Sequence, residues 1–256
     1  FFKQKTAYEI KECDWSSDVC SSDLIVDFVI DNGVSFVTTS AGDPAKYTAA
    51  LKSAGLTVFH VVPTLAAALK AVDAGVDGLV VEGGEGGGFK NPRDVSLMVL
   101  LPLIASKVDV PLIAAGGITD GPSMAAAFAL GAEGVQMGTR MVAALESPVH
   151  DNWKSAIVNA AETDTVFLNR FSRPALRALR TERTTRLERE DSVSMAEFAH
   201  VTDLYFGGDL EASIALGGQV MGRIESVMSV REIIESTMAQ FEATLERLHP
   251  RNSGES

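Results

Sequence analysis

The sequence predicts an α/β protein whose core is a parallel β-sheet, and three observations carry that expectation. A helix-like segment, a glycine and a short β-rich run recur in that order along the chain. The β-rich runs are short and almost continuously apolar, as strands covered on both faces should be. Between them lie segments with helix-forming residues at helical spacing. Alternating β and α elements imply a parallel sheet, and five βα units begin near residues 35, 57, 79, 111 and 135.

Taken in order, Asn32-Gly33-Val34 closes a helix-like segment and precedes a strand over 35–39. Ala54-Gly55-Leu56 follows a helix over 45–53 and precedes a strand over 57–62. Ala74-Gly75-Val76-Asp77-Gly78 follows a helix over 65–74 and leads into Leu79-Val80-Val81-Glu82. The run 110–115 is the fourth strand, and Leu130-Gly131-Ala132-Glu133-Gly134 links a helix over 121–130 to a strand at 135–138. Each linking glycine suits the left-handed position that ends a helix. Beyond residue 140 the repeat stops. Residues 153–161 read as a helix, and 170–190 as a solvated helix or excursion, because Arg and Glu alternate there. Helices are predicted over 195–204 and 229–248, the last amphipathic and packed on the exterior, with a disordered tail at 251–256.

The chain has 256 residues, 46% of them hydrophobic, enough for one large domain with a substantial core. Its formal net charge of -12 argues against nucleic acid or an anionic membrane as partner, since both would repel it. No apolar run reaches the roughly 18 residues a membrane-spanning helix needs, and no secretory leader is visible, so a cytoplasmic protein acting on a small molecule is expected. The oligomeric state stays open. Residues 1–24 lack either periodicity and resemble a translated short-read sequencing adapter: 3–10 and 17–24 match two adapter blocks in one frame and in adapter order. Both cysteines, Cys13 and Cys20, fall in this segment, so cysteine usage says nothing about redox compartment. The folded part is expected to be 25–250.

Three strand ends are rich in glycine: Glu82-Gly83-Gly84-Glu85-Gly86-Gly87-Gly88, Gly116-Gly117, and Gln136-Met137-Gly138-Thr139. Glycine lets backbone N–H groups approach an anion with no Cβ in the way, and three such ends on one sheet point to a phosphate-bearing ligand. The glycines alone would accept many phosphates. No His/Cys cluster has metal-ligand spacing, so no metal is expected, and no Gly-x-Ser-x-Gly elbow supports a hydrolase.

The same strings resemble the nitronate monooxygenase family. The run from Glu82 to Gly88, Leu101-Pro102, Pro111 through Ile118, Gly131 through Thr139, Gly207-Gly208-Asp209 and Gly217 through Ile224 occur in the family's order over residues 25–240. The resemblance implies a (β/α)8 barrel, present here as about five C-terminal units plus C-terminal helices, with FMN at the C-terminal ends of the strands. It implies that Gly116, Gly117, Gly138 and Thr139 hold the flavin phosphate, with Gln136 and Met137 beside them. Glu82, Gly83, Gly87 and Gly88 would then line the approach to the flavin. Two departures stand out. The family carries a histidine base after the glycine pair of the loop, where this chain has Phe89, which cannot transfer a proton. The weak alternatives are Lys90, read as a solvated loop lysine, and His60, read as a satisfied core histidine. The family's first three βα units are also missing ahead of residue 35, so the chain is expected to be a fragment. The implied activity is oxidation of a small nitronate or nitroalkane by O2. An NAD(P)H-dependent flavin reductase of the enoyl-thioester or quinone type is the alternative. Outside redox chemistry stand a sugar-phosphate barrel enzyme and an inactive flavin-binding protein.

Overall fold

The computed structural model describes residues 22–190 and 192–249. All but the last three residues of the adapter-like segment, both cysteines and the 251–256 tail lie outside the described residues. Helix α1 (Ser22–Asp31) leads into the predicted repeat: β1 (Phe36–Thr39), α2 (Ala45–Ser53), β2 (Thr57–Val62), α3 (Leu65–Asp73), β3 (Gly78–Glu82), β4 (Gly88–Lys90), α4 (Leu97–Ala105), β5 (Leu112–Ala115), α5 (Gly121–Ala129), β6 (Gly134–Gln136) and α6 (Thr139–Val142). The remainder is α7 (Asp151–Val158), β7 (Thr165–Leu168), β8 (Ala175–Leu179), α8 (Glu182–Leu187), α9 (Val201–Tyr205) and α10 (Val230–Leu248).

The five expected strands form one parallel sheet in the order β1-β2-β3-β5-β6. Successive side chains of a strand face opposite sides, and the two sides differ here. Val58, Val62, Leu79, Val81, Leu112 and Ala114 pack under the helices in the main core. Phe59, Val61, Val80, Ile113 and Ala115 form a smaller cluster on the concave side. The sheet is thus a curled half-barrel, with helices on its convex face. Glycines in left-handed geometry link helix to strand, as at Gly55 and Gly75, both at φ +85°. At the other end of the helices, Thr64 Oγ1 accepts from Ala67 N at 3.2 Å to cap α3, and Asp120 and Ser123 form a capping box on α5. As expected, α10 lies on the outside, packed on α5 through Phe128 and Phe241, whose rings are 5.2 Å apart.

The second half departs from expectation in two places. The charged stretch 170–190 is not one solvated element: its first part is β8, all five residues of which are buried. That strand sits between β4 and β7 in an antiparallel sheet of order β4-β8-β7. Arginines on both sides of Ala175-Leu176 hid a strand buried by its two neighbours and by Leu187, Val193 and Ile214. The helix predicted over 195–204 is broken at His200, which takes a left-handed conformation (φ 61°) between a short 3-10 turn and α9. Among the described residues no helix is long and apolar enough to cross a membrane.

Candidate functional site

Pairing register builds the site. Glu82 of β3 lies opposite Ala115 of β5, and Ala115 opposite Gln136 of β6, so three adjacent strands end in line. All three share the concave face with Val80 and Ile113, by alternation. Past these ends the chain turns through Gly116-Gly117 (φ +87° and +76°) and through Gly138. The result is a cavity of about 280 Å³ lined by Glu82, Gly87, Gly88, Gly116, Gly117, Gln136, Gly138 and Thr139.

The glycine loop after β3 is held at several points. Glu85 accepts from Leu97 N at 3.0 and 3.1 Å, capping α4. Arg177 of β8 donates from Nε to Gly84 O at 2.9 Å and from a terminal nitrogen to Thr165 Oγ1 at 3.1 Å. Gln219 N donates to Glu85 O at 2.9 Å. A Cβ on Gly87 would come within 2.5 Å of Gly217, so the two backbones can touch because residue 87 is glycine. Gly218 N in turn donates to Thr139 Oγ1 at 2.9 Å, tying this second glycine pair to the far wall.

The lining fits a phosphate-bearing cofactor. A Cβ on Gly138 would meet no protein atom within 4 Å, so that space belongs to the cavity. The two carboxylates on the rim are both engaged: Glu85 by the start of α4, and Glu82 by Lys90 Nζ at 2.5 Å. Glycine backbone free of Cβ atoms at this end leaves room for an anion to approach closely.

Two residues expected here are elsewhere. Met137 lies on the convex face by the strand pleat and packs against the main core. Gly83 is a turn residue: its N–H donates to Ala115 O, and a Cβ there would strike Leu97. Lys90 is not a solvated lysine, because its side chain is only 2% exposed. Burial pushes its ammonium below the usual lysine range, while Glu82 pulls the other way. Phe89, one residue before it on β4, points outward: it is 51% exposed and lies against Phe198 at 5.7 Å. His60 is buried, alternates with Val58 and Val62 and makes a 2.8 Å hydrogen bond with Thr39 Oγ1. Desolvation lowers its pKa and favours the neutral ring. His60 and Lys90 both border a second, wider groove of about 670 Å³ beside the cavity, and Glu82 borders both spaces. Glu85 and Gly86 of the same glycine-rich strand end also line the first cavity, as do Ile118, Val142, Leu216, Gly218 and Val220, which strand-end reasoning did not select. The Gly217-Gly218 pair was the available signal for the last of them.

Comparisons agree with this architecture. The family model described as nitronate monooxygenase matches residues 4–240. A Rhodococcus jostii protein named (3aS,4S,5R,7aS)-5-hydroxy-7a-methyl-1-oxo-octahydro-1H-indene-4-carboxyl-CoA dehydrogenase is 36% identical over 163 residues, 64% of this chain and 46% of that one. A probable nitronate monooxygenase of Staphylococcus aureus is 39% identical over 130 residues, 48% of this chain and 37% of that one. The chain thus spans less than half the length of these curated relatives. Among solved structures, FabK from Thermotoga maritima superposes with a TM-score of 0.81 at 38% identity, covering 88% of this chain and 74% of that one. A nitroalkane oxidase from Streptomyces ansochromogenes gives 0.76 at 22% identity over 88% and 69%, a likeness of fold alone.

Proposed function

The chain belongs to the nitronate monooxygenase family, whose members are flavin-dependent oxidoreductases, and from that premise we propose that it binds FMN and works as an NAD(P)H-linked oxidoreductase of acyl thioesters. The observation that carries the cofactor is the convergence of Gly116-Gly117 and Gly138-Thr139 on one cavity at the C-terminal ends of a parallel sheet, where half-barrels and barrels hold phosphates. FMN would supply the two-electron chemistry, while the chain holds it, orients the substrate and excludes water. The thioester is supported by the Rhodococcus relative, named for a carboxyl-CoA substrate, and by the 670 Å³ groove beside the cavity. It is also supported by Phe89, which leaves the loop without the imidazole base that nitronate oxidation would use.

Oxidation of a nitronate by O2 is the second reading, favoured by the family description and the Staphylococcus relatives. Anaerobic mixing separates the two. Rapid bleaching of flavin absorbance near about 450 nm by NADH or NADPH, with colour restored by crotonyl-CoA, is the expected result. Bleaching by propane-2-nitronate and by neither nicotinamide would replace this reading with the second.

A further inference from the structure

Adjacent residues of a strand face opposite ways, and on β4 this separates Phe89, turned outward, from Lys90, turned inward. Lys90 Nζ is withdrawn from bulk solvent, and the residue lines the groove. Its contact with Glu82 Oε1, at 2.5 Å, is an ion pair held inside the protein. Burying an ammonium is costly even when one carboxylate faces it, and its position is specific. Glu82 borders both the glycine-lined cavity and the groove. The Cβ position of Gly86, another residue of the cavity wall, lies 2.7 Å from Nζ. The ammonium therefore stands in the partition between the proposed cofactor space and the groove.

We infer that Lys90 is the proton donor of this cleft, protonating the α-carbon of an enoyl thioester bound across the groove. The inference rests on the thioester-reductase reading above. The step balances as follows: a reduced nicotinamide supplies the hydride and is oxidised, and the β-carbon gains that hydride. The C=C π pair moves to the α-carbon, where a C–H bond forms as an N–H bond of Lys90 breaks. The neutral amine left beside Glu82 regains a proton from water. A histidine shared between acid and base forms near neutrality serves proton removal. An ammonium beside a carboxylate is instead a donor, which suits reduction. The charged groups facing Lys90 are Glu82 from β3, Glu85 from the glycine loop and Arg177 from β8, while His60 and Arg173 border the same groove. Burial, the largest influence on Lys90, weakens its hold on the proton and makes it a readier acid.

The test uses the purified full chain, NADH or NADPH, and crotonyl-CoA as probe. Rates are compared per bound flavin, because Lys90→Met also unpairs Glu82 at the cavity rim; on that basis the variant is expected to be bleached by the nicotinamide yet to lose about 10²–10⁴-fold in reoxidation by crotonyl-CoA. The wild-type rate of that step should fall as pH rises through the lysine's value, and this limb should vanish in Lys90→Met. Lys90→Arg keeps the charge but releases no proton, so it should stay slow. Reoxidation within about threefold of wild type in Lys90→Met, or rescue by Lys90→Arg, would overturn the donor role while leaving the function intact. If wild type holds no flavin, or crotonyl-CoA leaves the reduced protein unchanged, the reading of function falls and the inference with it. A readout independent of turnover is the ¹³Cε resonance of Lys90, assigned by its loss in Lys90→Met. It should titrate below the surface lysines and move on adding butyryl-CoA. A resonance that titrates with the surface lysines and ignores butyryl-CoA overturns the inference.

Discussion

Along β2, β3 and β5 the buried residues are aliphatic or aromatic with one exception, His60, while β8 buries Arg177 in the middle of its run and β4 buries Lys90 at its end. The parallel sheet is ordered chiefly by apolar burial, covered by α2 to α5. The antiparallel sheet is ordered by polar bonds that reach across the molecule, such as Arg177 Nε to Gly84 O, 93 residues away in sequence. The division assigns each region a task. A repetitive, close-packed sheet delivers backbone groups to fixed points, which is what a phosphate cradle requires. The excursion delivers individual side chains, which is what proton transfer requires. Charge is tolerated in the second region because each buried cation lies against carbonyls or carboxylates.

Four substitutions sharpen that contrast, beginning with the largest expected effect. Leu101→Ala, in a fully buried position of α4 beneath the parallel sheet, should lower stability by about 4 kcal/mol through lost burial and a cavity that close packing cannot close. Denaturant unfolding measures it, and a loss under about 1 kcal/mol would show that this core yields. Arg177→Met should cost about 2–3 kcal/mol, because Gly84 O and Thr165 Oγ1 lose their donor inside the protein. It should also loosen the glycine loop and reduce flavin content, whereas Leu101→Ala should leave the loop's own bonds in place.

Asp77 tests the edge of the parallel region. Lys52, its ion-pair partner, and the Val58 N–H that its carboxylate accepts hold its pKa below the ordinary aspartate value. A depressed carboxylate contributes stability above its unfolded value, and that contribution disappears as pH falls through the folded one. Asp77→Asn should therefore cost about 1 kcal/mol or less at neutral pH, since the pair is partly exposed, and nothing at low acidic pH. Unfolding curves at both ends of that range check it. Gly138→Val should shift stability least, about 0.5 kcal/mol or less, because a Cβ there meets no protein atom within 4 Å. It should nevertheless abolish flavin retention. Full occupancy in that variant would remove Gly138 from the cradle.

The five parallel strands were legible within a residue or two, because helix, glycine and apolar run repeat at nearly constant spacing. Strand-end glycines were legible as a group for the same reason, and Gly116, Gly117, Gly138 and Thr139 do meet in one cavity. Pleat direction was not: Met137 adjoins Gln136 in sequence yet faces the opposite side of the sheet. Nor was the burial of Lys90, whose neighbours in sequence look like an exposed loop. β8 was hidden for a related reason, since a five-residue strand flanked by arginines has no local signature of burial.

By itself the sequence determined the parallel α/β sheet, the order of its units and the glycine-rich ends at which a phosphate could be held. Each of these follows from local periodicity and from the backbone freedom of glycine, which are properties of neighbouring residues. Only the tertiary structure decided which side chains enter the cleft. It placed β4 against β8, left Phe89 half-exposed at the edge of the groove and enclosed Lys90 beside Glu82. Those outcomes depend on strand pairings between residues nearly ninety positions apart, and no local pattern carries that information.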